Sequence, residues 1–200
     1  MIVARAKGKQ GKDATPARKS APGREFQMRL SGSGGQGLQL SAKILARALS
    51  EEGKVVAQSQ SYEPTSRGGL SRSDLVVGDG EPDYPLATAV DYMLVLDQVA
   101  VKAADGIVSD GGTVITDSRL VSEPPSGDFR IVALPITDTA IGLGNIRVAN
   151  VVGLGAMTGL SGICKAETMQ SVISALVPAK YRDLNLDAFS EGLKLAASVG

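Results

Sequence analysis

The sequence predicts an α/β domain with a mostly parallel, doubly wound sheet and helices on both faces. Three observations carry that expectation. Short apolar runs alternate with longer stretches of helical periodicity along most of the chain. A glycine-rich turn, Gly32-Ser33-Gly34-Gly35-Gln36-Gly37, joins the first run to the first helical pattern. The connections between patterns are short and rich in Gly, Pro, Asp and Ser.

Residues 1–25 come first and stand apart. They hold seven of the Lys and Arg residues against Asp13 and Glu25, with little apolar periodicity, and read as a basic, unstructured tail before a single domain over 26–200. The domain opens with a strand over 26–31, the glycine turn over 32–37 and a helix over 38–52, whose apolar face is Leu38, Ala42, Leu45, Ala46 and Leu49. Gly53 stops the helix, and Lys54–Gln60 is a second strand that completes a βαβ unit. Residues 61–70 form a loop, Ser71–Val77 a third strand and Gly78–Pro85 a turn. Asp91–Asp97 reads as a buried strand and Gln98–Ala104 as a short helix. Strands follow at Thr113–Thr116 and Arg130–Leu134, separated by a Pro-Pro loop over 118–129. A short helix from Pro135 ends near Gly142–Gly144. From Arg147 the residues are small or apolar nearly all round, the pattern of a buried helix. Lys165–Val177 and Leu184–Ser198 are the last helices, with Asn185 or Asp187 near the start of the second. The whole is a Rossmann-like arrangement.

Composition narrows the function. The chain has one cysteine, Cys164, and no histidine. One thiol cannot form an internal disulfide, nor supply the roughly four thiolates of an iron–sulfur cluster. Without histidine there is no Ser–His or Cys–His pair, which argues against a self-contained hydrolase. The body beyond residue 25 holds 14 basic and 19 acidic residues and gives no electrostatic footprint for nucleic acid. Aromatic residues are scarce, and no stretch approaches the roughly 18 apolar residues of a membrane span.

Three stretches carry the candidate site. The turn satisfies G-x-G-x-x-G with Gly32, Gly34 and Gly37, and adds Gly35 and Gln36. Glycines there permit positive φ and close approach to a ligand or a second chain. A dinucleotide site also wants an acidic residue about 20 positions on, at the end of the second strand. Val55–Gln60 has none, and Glu63 lies beyond in the loop. The loop holds Arg67 followed by Gly68 and Gly69; Arg67 suits a phosphate or carboxylate, and Glu63 is placed to orient it. This loop belongs beside the glycine turn at the carboxyl edge of the sheet. Asn150, in the small-residue helix, is placed to cap a neighbouring turn or touch a ligand, while Gly153 and Gly155 read as helix-packing glycines. From these residues alone three readings stand: an anion site or interface at the helix N-terminus, a stand-alone NAD(P)- or flavin-binding protein, and an interaction module whose turn binds nothing.

Four segments in order resemble the gamma subunit, or gamma domain, of 2-oxoacid:ferredoxin oxidoreductases. They are G-S-G-G-Q-G at 32–37, Y-E-P-T-S-R-G-G-L-S at 62–71, G-N-I-R-V-A-N-V-V-G-L-G-A at 144–156 and L-N-L-D-A-F-S-E-G at 184–192. The likeness spans 26–198 and is closest to the 2-oxoglutarate type; gamma subunits of the pyruvate, branched-chain and indolepyruvate enzymes share the glycine turn. The resemblance implies a subunit that is not catalytic alone, in a cytoplasmic complex with alpha, beta and ferredoxin-like delta subunits. The complex decarboxylates a 2-oxoacid on thiamine diphosphate and Mg, passes electrons through [4Fe-4S] clusters to ferredoxin, and releases acyl-CoA. It further implies that the gamma domain lies against the catalytic subunits and helps form the coenzyme A site. On that implication Gly32, Gly34, Gly35, Gln36, Gly37, Glu63, Arg67, Gly68, Gly69 and Asn150 are the expected ligand-binding residues.

Overall fold

In the computed structural model, residues 25–63, 68–80 and 86–200 are described. All but the last residue of the basic tail, and Arg67, lie outside them.

The elements are β1 (Phe26–Ser33), α1 (Leu38–Glu51), β2 (Val55–Tyr62), β3 (Leu70–Gly78), β4 (Val90–Val95), β5 (Val108–Asp117), β6 (Arg130–Leu134), α2 (Ile136–Gly142), α3 (Ala149–Ser161), α4 (Ala166–Leu176) and α5 (Ala179–Ala197). 3₁₀ segments run over Gln98–Ala104 and, more briefly, Ile146–Val148. Six strands form one sheet in the order β2-β3-β1-β4-β5-β6. The sheet is mixed: β1, β4, β5 and β6 are mutually parallel, and β3 runs antiparallel to both β1 and β2.

The expected βαβ unit is corrected here. β2 does not pair with β1, because β3 inserts between them and turns β2–β3 into a hairpin at the sheet edge. Residues 61, 62 and 70, read as loop, are ladder residues of that hairpin. The reason is length: the loop between the two strands is short enough to join antiparallel neighbours, whereas a parallel neighbour needs a crossover.

Helical structure covers both faces, unevenly. The five α-helices lie on the larger core, with Met28, Leu30, Leu75, Leu94 and Ile115 beneath them. The other face is covered by the Gln98–Ala104 segment, whose Ala100 and Ala104 pack with Met93, Val95 and Val114. Strand alternation explains this split, since Met28 and Leu30 point to one side and Arg29 and Ser31 to the other. Arg29 and Asp74 face each other in the β1–β3 register and form a bidentate ion pair, with Nε to Oδ1 and Nη2 to Oδ2 both at 2.7 Å. Arg29 Nη1 also donates to Ala103 O at 2.8 Å, which ties the 3₁₀ segment to the sheet.

α5 starts at Ala179, five residues before the expected Leu184. Pro178 precedes it, and a proline costs nothing at a helix start, where its missing N–H has no partner to lose. Asn185 therefore sits inside the helix, where its Nδ2 donates to Tyr181 O at 2.8 Å. α3 is buried along nearly its whole length, as its all-round apolar pattern requires. It packs on α5 through glycines. A Cβ at Gly192 would collide with Val152 O and lie 2.8 Å from Ala156 N; one at Gly155 would collide with Phe189 O. A Cβ at Gly153 would fall 2.9 Å from Leu94 Cδ2, so this glycine sets the approach of α3 to the sheet.

The contacts at Gly155 and Gly192 are with backbone, which cannot swing aside. Gly192→Ala is therefore expected to destabilise the fold by about 2 kcal/mol or more. A lower denaturant midpoint at unchanged m-value is the measurement that checks it.

Candidate functional site

The strand order reverses between β1 and β4, so the crevice at their carboxyl ends is where an open α/β sheet binds its ligands. The glycine turn leaves β1 there. Gly35 and Gly37 have φ of 95° and 79°, the left-handed region that favours glycine. Gly34 N donates to Gly69 O at 2.9 Å, so the β2–β3 hairpin loop does sit beside the turn. Gly68 also has positive φ, at 73°.

Several of the predicted site residues make hydrogen bonds within the chain. Gln36 Oε1 accepts from Ser33 N at 2.8 Å, and its Nε2 donates to Leu96 O at 3.2 Å. The side chain thus lies in the switch-point crevice and joins the ends of β1 and β4. A Cβ at Gly32 would run into Gln36 Oε1. Gly32 therefore makes room for a glutamine of its own chain. Asn150 is buried, and its Nδ2 donates to Gly37 O at 3.1 Å and to Ser41 Oγ at 3.0 Å. A Cβ at Gly37 would lie 2.6 Å from that nitrogen. Asn150 fastens α3 to the start of α1 by donating to the Gly37 carbonyl and the Ser41 hydroxyl, and it leaves the first-turn N–H groups of α1 uncapped. Glu63 is exposed, with its backbone N donating to Leu70 O at 2.8 Å. Its relation to Arg67 lies outside the described residues.

What remains open is the N-terminus of α1. Gly37 is its N-cap; no side chain caps the first turn, and no acidic residue lies in it. The first N–H groups of a helix have no intrahelical partner and carry partial positive charge, which makes this end receptive to an anion. A dinucleotide is poorly served here. The crevice holds Gln36, and β3 separates β1 from the strand that would carry the ribose-binding acid.

Sequence reasoning missed a surface feature, two members of which stand at this edge. Leu40, Val99, Ile141 and Ile146 are exposed apolar side chains. Leu40 and Val99 stand in the first turns that leave β1 and β4, Ile141 is in the helix after β6, and Ile146 lies four residues before Asn150. No sequence pattern marks them, because apolar residues in a helical period look alike whether they face the core or solvent.

Cys164 lies away from this edge. It is buried, and its Sγ donates to Glu52 Oε1 at 3.3 Å. Burial, reinforced by the Glu52 carboxylate, pushes the thiol up to about 12, so it stays protonated at neutral pH. Glu52 Oε1 also accepts from Lys165 N at 2.9 Å, where α4 begins without a cap of its own. Burial works against the Glu52 charge, but hydrogen bonds from Thr168, Lys165 N and Cys164 outweigh it and hold the carboxyl below its ordinary value. At the end of β5, Asp117 is buried and its carboxyl is raised by that burial, against hydrogen bonds from Thr137 and from Arg119 N. Among the described residues, no group of three or more His, Cys, Asp or Glu side chains is placed to hold a metal.

The family model for pyruvate ferredoxin/flavodoxin oxidoreductase matches residues 27–195. The 2-oxoglutarate synthase subunit KorC of Methanocaldococcus jannaschii is 37% identical over 174 residues, covering 85% of this chain and 93% of the relative. The corresponding KorC of Archaeoglobus fulgidus is 37% identical over 177 residues, covering 88% and 90%. Among solved structures, the gamma subunit of a keto/oxoacid ferredoxin oxidoreductase from Geobacter sulfurreducens superposes with a TM-score of 0.80 at 37% identity, covering 88% of this chain and 98% of that one.

Two measurements check the Glu52–Cys164 contact. At pH 8, iodoacetamide is expected to label Cys164 at least about 100-fold more slowly in the folded than in the unfolded chain. Glu52→Gln is expected to cost about 1 kcal/mol near neutral pH, because an amide oxygen accepts these hydrogen bonds more weakly than a carboxylate. Because the folded carboxyl titrates below its unfolded value, the wild type's advantage is full above about pH 5 and disappears as pH falls through the folded pKa. Denaturant unfolding of both proteins between pH 3 and 7 reads that convergence.

Proposed function

This chain belongs to the pyruvate ferredoxin/flavodoxin oxidoreductase family, and we propose that, as the gamma-type subunit of a 2-oxoacid:ferredoxin oxidoreductase, it contributes a coenzyme A phosphate site to a 2-oxoglutarate enzyme. The observation that carries the site is the uncapped N-terminus of α1, held against the hairpin loop by the Gly34–Gly69 hydrogen bond. A phosphate there meets unpaired N–H groups and the positive end of the helix dipole. Arg67, two residues before Gly69 in the chain, adds a guanidinium suited to bidentate phosphate contact. Glu63, Gly68 and the remaining turn glycines complete the shape of the loop pair. Gln36 and Asn150 act through the backbone they hold.

The exposed apolar side chains of Leu40 and Val99, in the first turns that leave β1 and β4, support a partner surface beside the site. In this reading alpha and beta subunits cover it, and a ferredoxin-like delta subunit passes electrons to ferredoxin. Two relatives are 2-oxoglutarate synthase subunits, which favours 2-oxoglutarate as the 2-oxoacid.

The chemistry belongs to groups this chain does not fit. Its single thiol is buried, protonated and bonded to Glu52, so [4Fe-4S] clusters are assigned to partner subunits, and with them thiamine diphosphate and Mg. On a partner subunit, thiamine diphosphate would supply the electron-sink chemistry that a decarboxylation needs. This chain's part is to bind and orient the acyl acceptor. No helix among the described residues is long and apolar enough to cross a membrane, and the proposal places the complex in the cytoplasm.

In the assembled complex, Arg67→Ala is expected to raise the apparent KM for coenzyme A by about tenfold or more, with little change in KM for the 2-oxoacid. Steady-state ferredoxin reduction at varied coenzyme A reads it. An unchanged KM for coenzyme A would remove the arginine from the site.

A further inference from the structure

We propose that Gln36 is a positioning residue: its amide clasps the carboxyl ends of β1 and β4 and thereby fixes the first turn of α1 as an anion cradle. The functional half of this inference rests on the coenzyme A reading above; the structural half does not.

Three observations carry it. First, the amide uses both of its ends, accepting from Ser33 N and donating to Leu96 O. The backbone joins the same two strands one step lower, with Leu96 N donating to Ser31 O at 2.9 Å. Gln36 therefore extends the β1–β4 attachment past the end of the regular ladder, to the residue before the helix N-cap. Second, Gly32 has no room for a Cβ because Gln36 Oε1 occupies that space, and Leu96 Cβ would be 3.3 Å away. A glycine inside a strand weakens it, so this position is explained by the side chain it admits. Third, the turn is pinned at neighbouring residues, Gly34 by Gly69 O and Gly37 by Asn150 Nδ2. None of these three ties uses the first-turn N–H groups of α1. The turn is held rigid while its anion-receptive end stays open.

The chemistry demanded at position 36 is narrow. The side chain must present an acceptor and a donor at a fixed separation. Glutamate keeps the acceptor but faces the Leu96 carbonyl with a second acceptor. Alanine loses both ends.

The test uses the assembled complex, with Gln36→Ala, the milder Gln36→Glu, Gly32→Ala, and the double variant of Gly32→Ala with Gln36→Ala. Co-purification of all subunits and thermal unfolding establish that each variant assembles. Both Gln36 variants are expected to speed amide hydrogen exchange over residues 33–40 by about tenfold or more. They are also expected to raise KM for coenzyme A by about tenfold, the loss falling mainly on KM rather than kcat. Gly32→Ala alone should do likewise, because its methyl displaces the amide. In the Gln36→Ala background it should add little, since the obstruction is gone. Faster exchange with an unchanged KM for coenzyme A would uphold the clasp and overturn the coenzyme A reading. Unchanged exchange in both Gln36 variants would overturn the clasp whatever KM does. Full additivity of Gly32→Ala with Gln36→Ala would overturn it too.

Discussion

The register of β3 against β1 is the constraint on which the site depends, and the Arg29–Asp74 pair fixes it. The two residues stand opposite each other in the centre of the sheet and are both nearly inaccessible to solvent. A register slipped by one residue would send every side chain of β3 to the other face. It would also leave a guanidinium and a carboxylate buried without partners, a loss on the order of 3–5 kcal/mol. From that fixed point the ladder runs to Ser33 opposite Leu70, and the next contact is Gly34 N on Gly69 O. The ion pair lies on the thin face, and the site lies at the strand ends. The rigid ladder between them transmits the alignment.

A second consequence follows from β3. By inserting antiparallel between β1 and β2 it places a hairpin loop, rather than a crossover strand end, next to the glycine turn. A nucleotide fold uses that neighbouring strand end to hold a ribose. Here the same location offers a glycine-flanked loop, and the crevice beneath carries Gln36. The shared strand–turn–helix keeps the anion-receptive helix end and drops the rest of the dinucleotide apparatus. The chain has no histidine, and its one thiol is buried and bonded to Glu52.

Much of the fold was legible because its elements are locally coded. The 3.6-residue apolar period and Gly53 delimit α1, and the all-round apolar pattern of α3 marks a helix buried on every side. Pairing was not legible in the same way. Periodicity says that a segment is a strand and says nothing of which neighbour it takes, so the order of β2, β3 and β1 escaped it. The opposed charges inside two apolar strands, Arg29 and Asp74, were the available signal for their pairing. The start of α5 escaped it because Pro178 stands both just past one helical pattern and just before the next helix.

Sequence alone determined that a glycine-rich turn opens a helix, that a second loop with paired glycines follows, and that the chain has no histidine and one cysteine. These are properties of residue type and local order, which one dimension carries in full. Tertiary structure decided what each glycine and amide is for. Gly32 is spared a side chain for Gln36, Gly37 for Asn150, and Gly192 for α3, whose backbone presses against it. Those contacts join residues up to 113 positions apart. A close approach is a fact about two segments at once, and only the folded chain brings both to the same place.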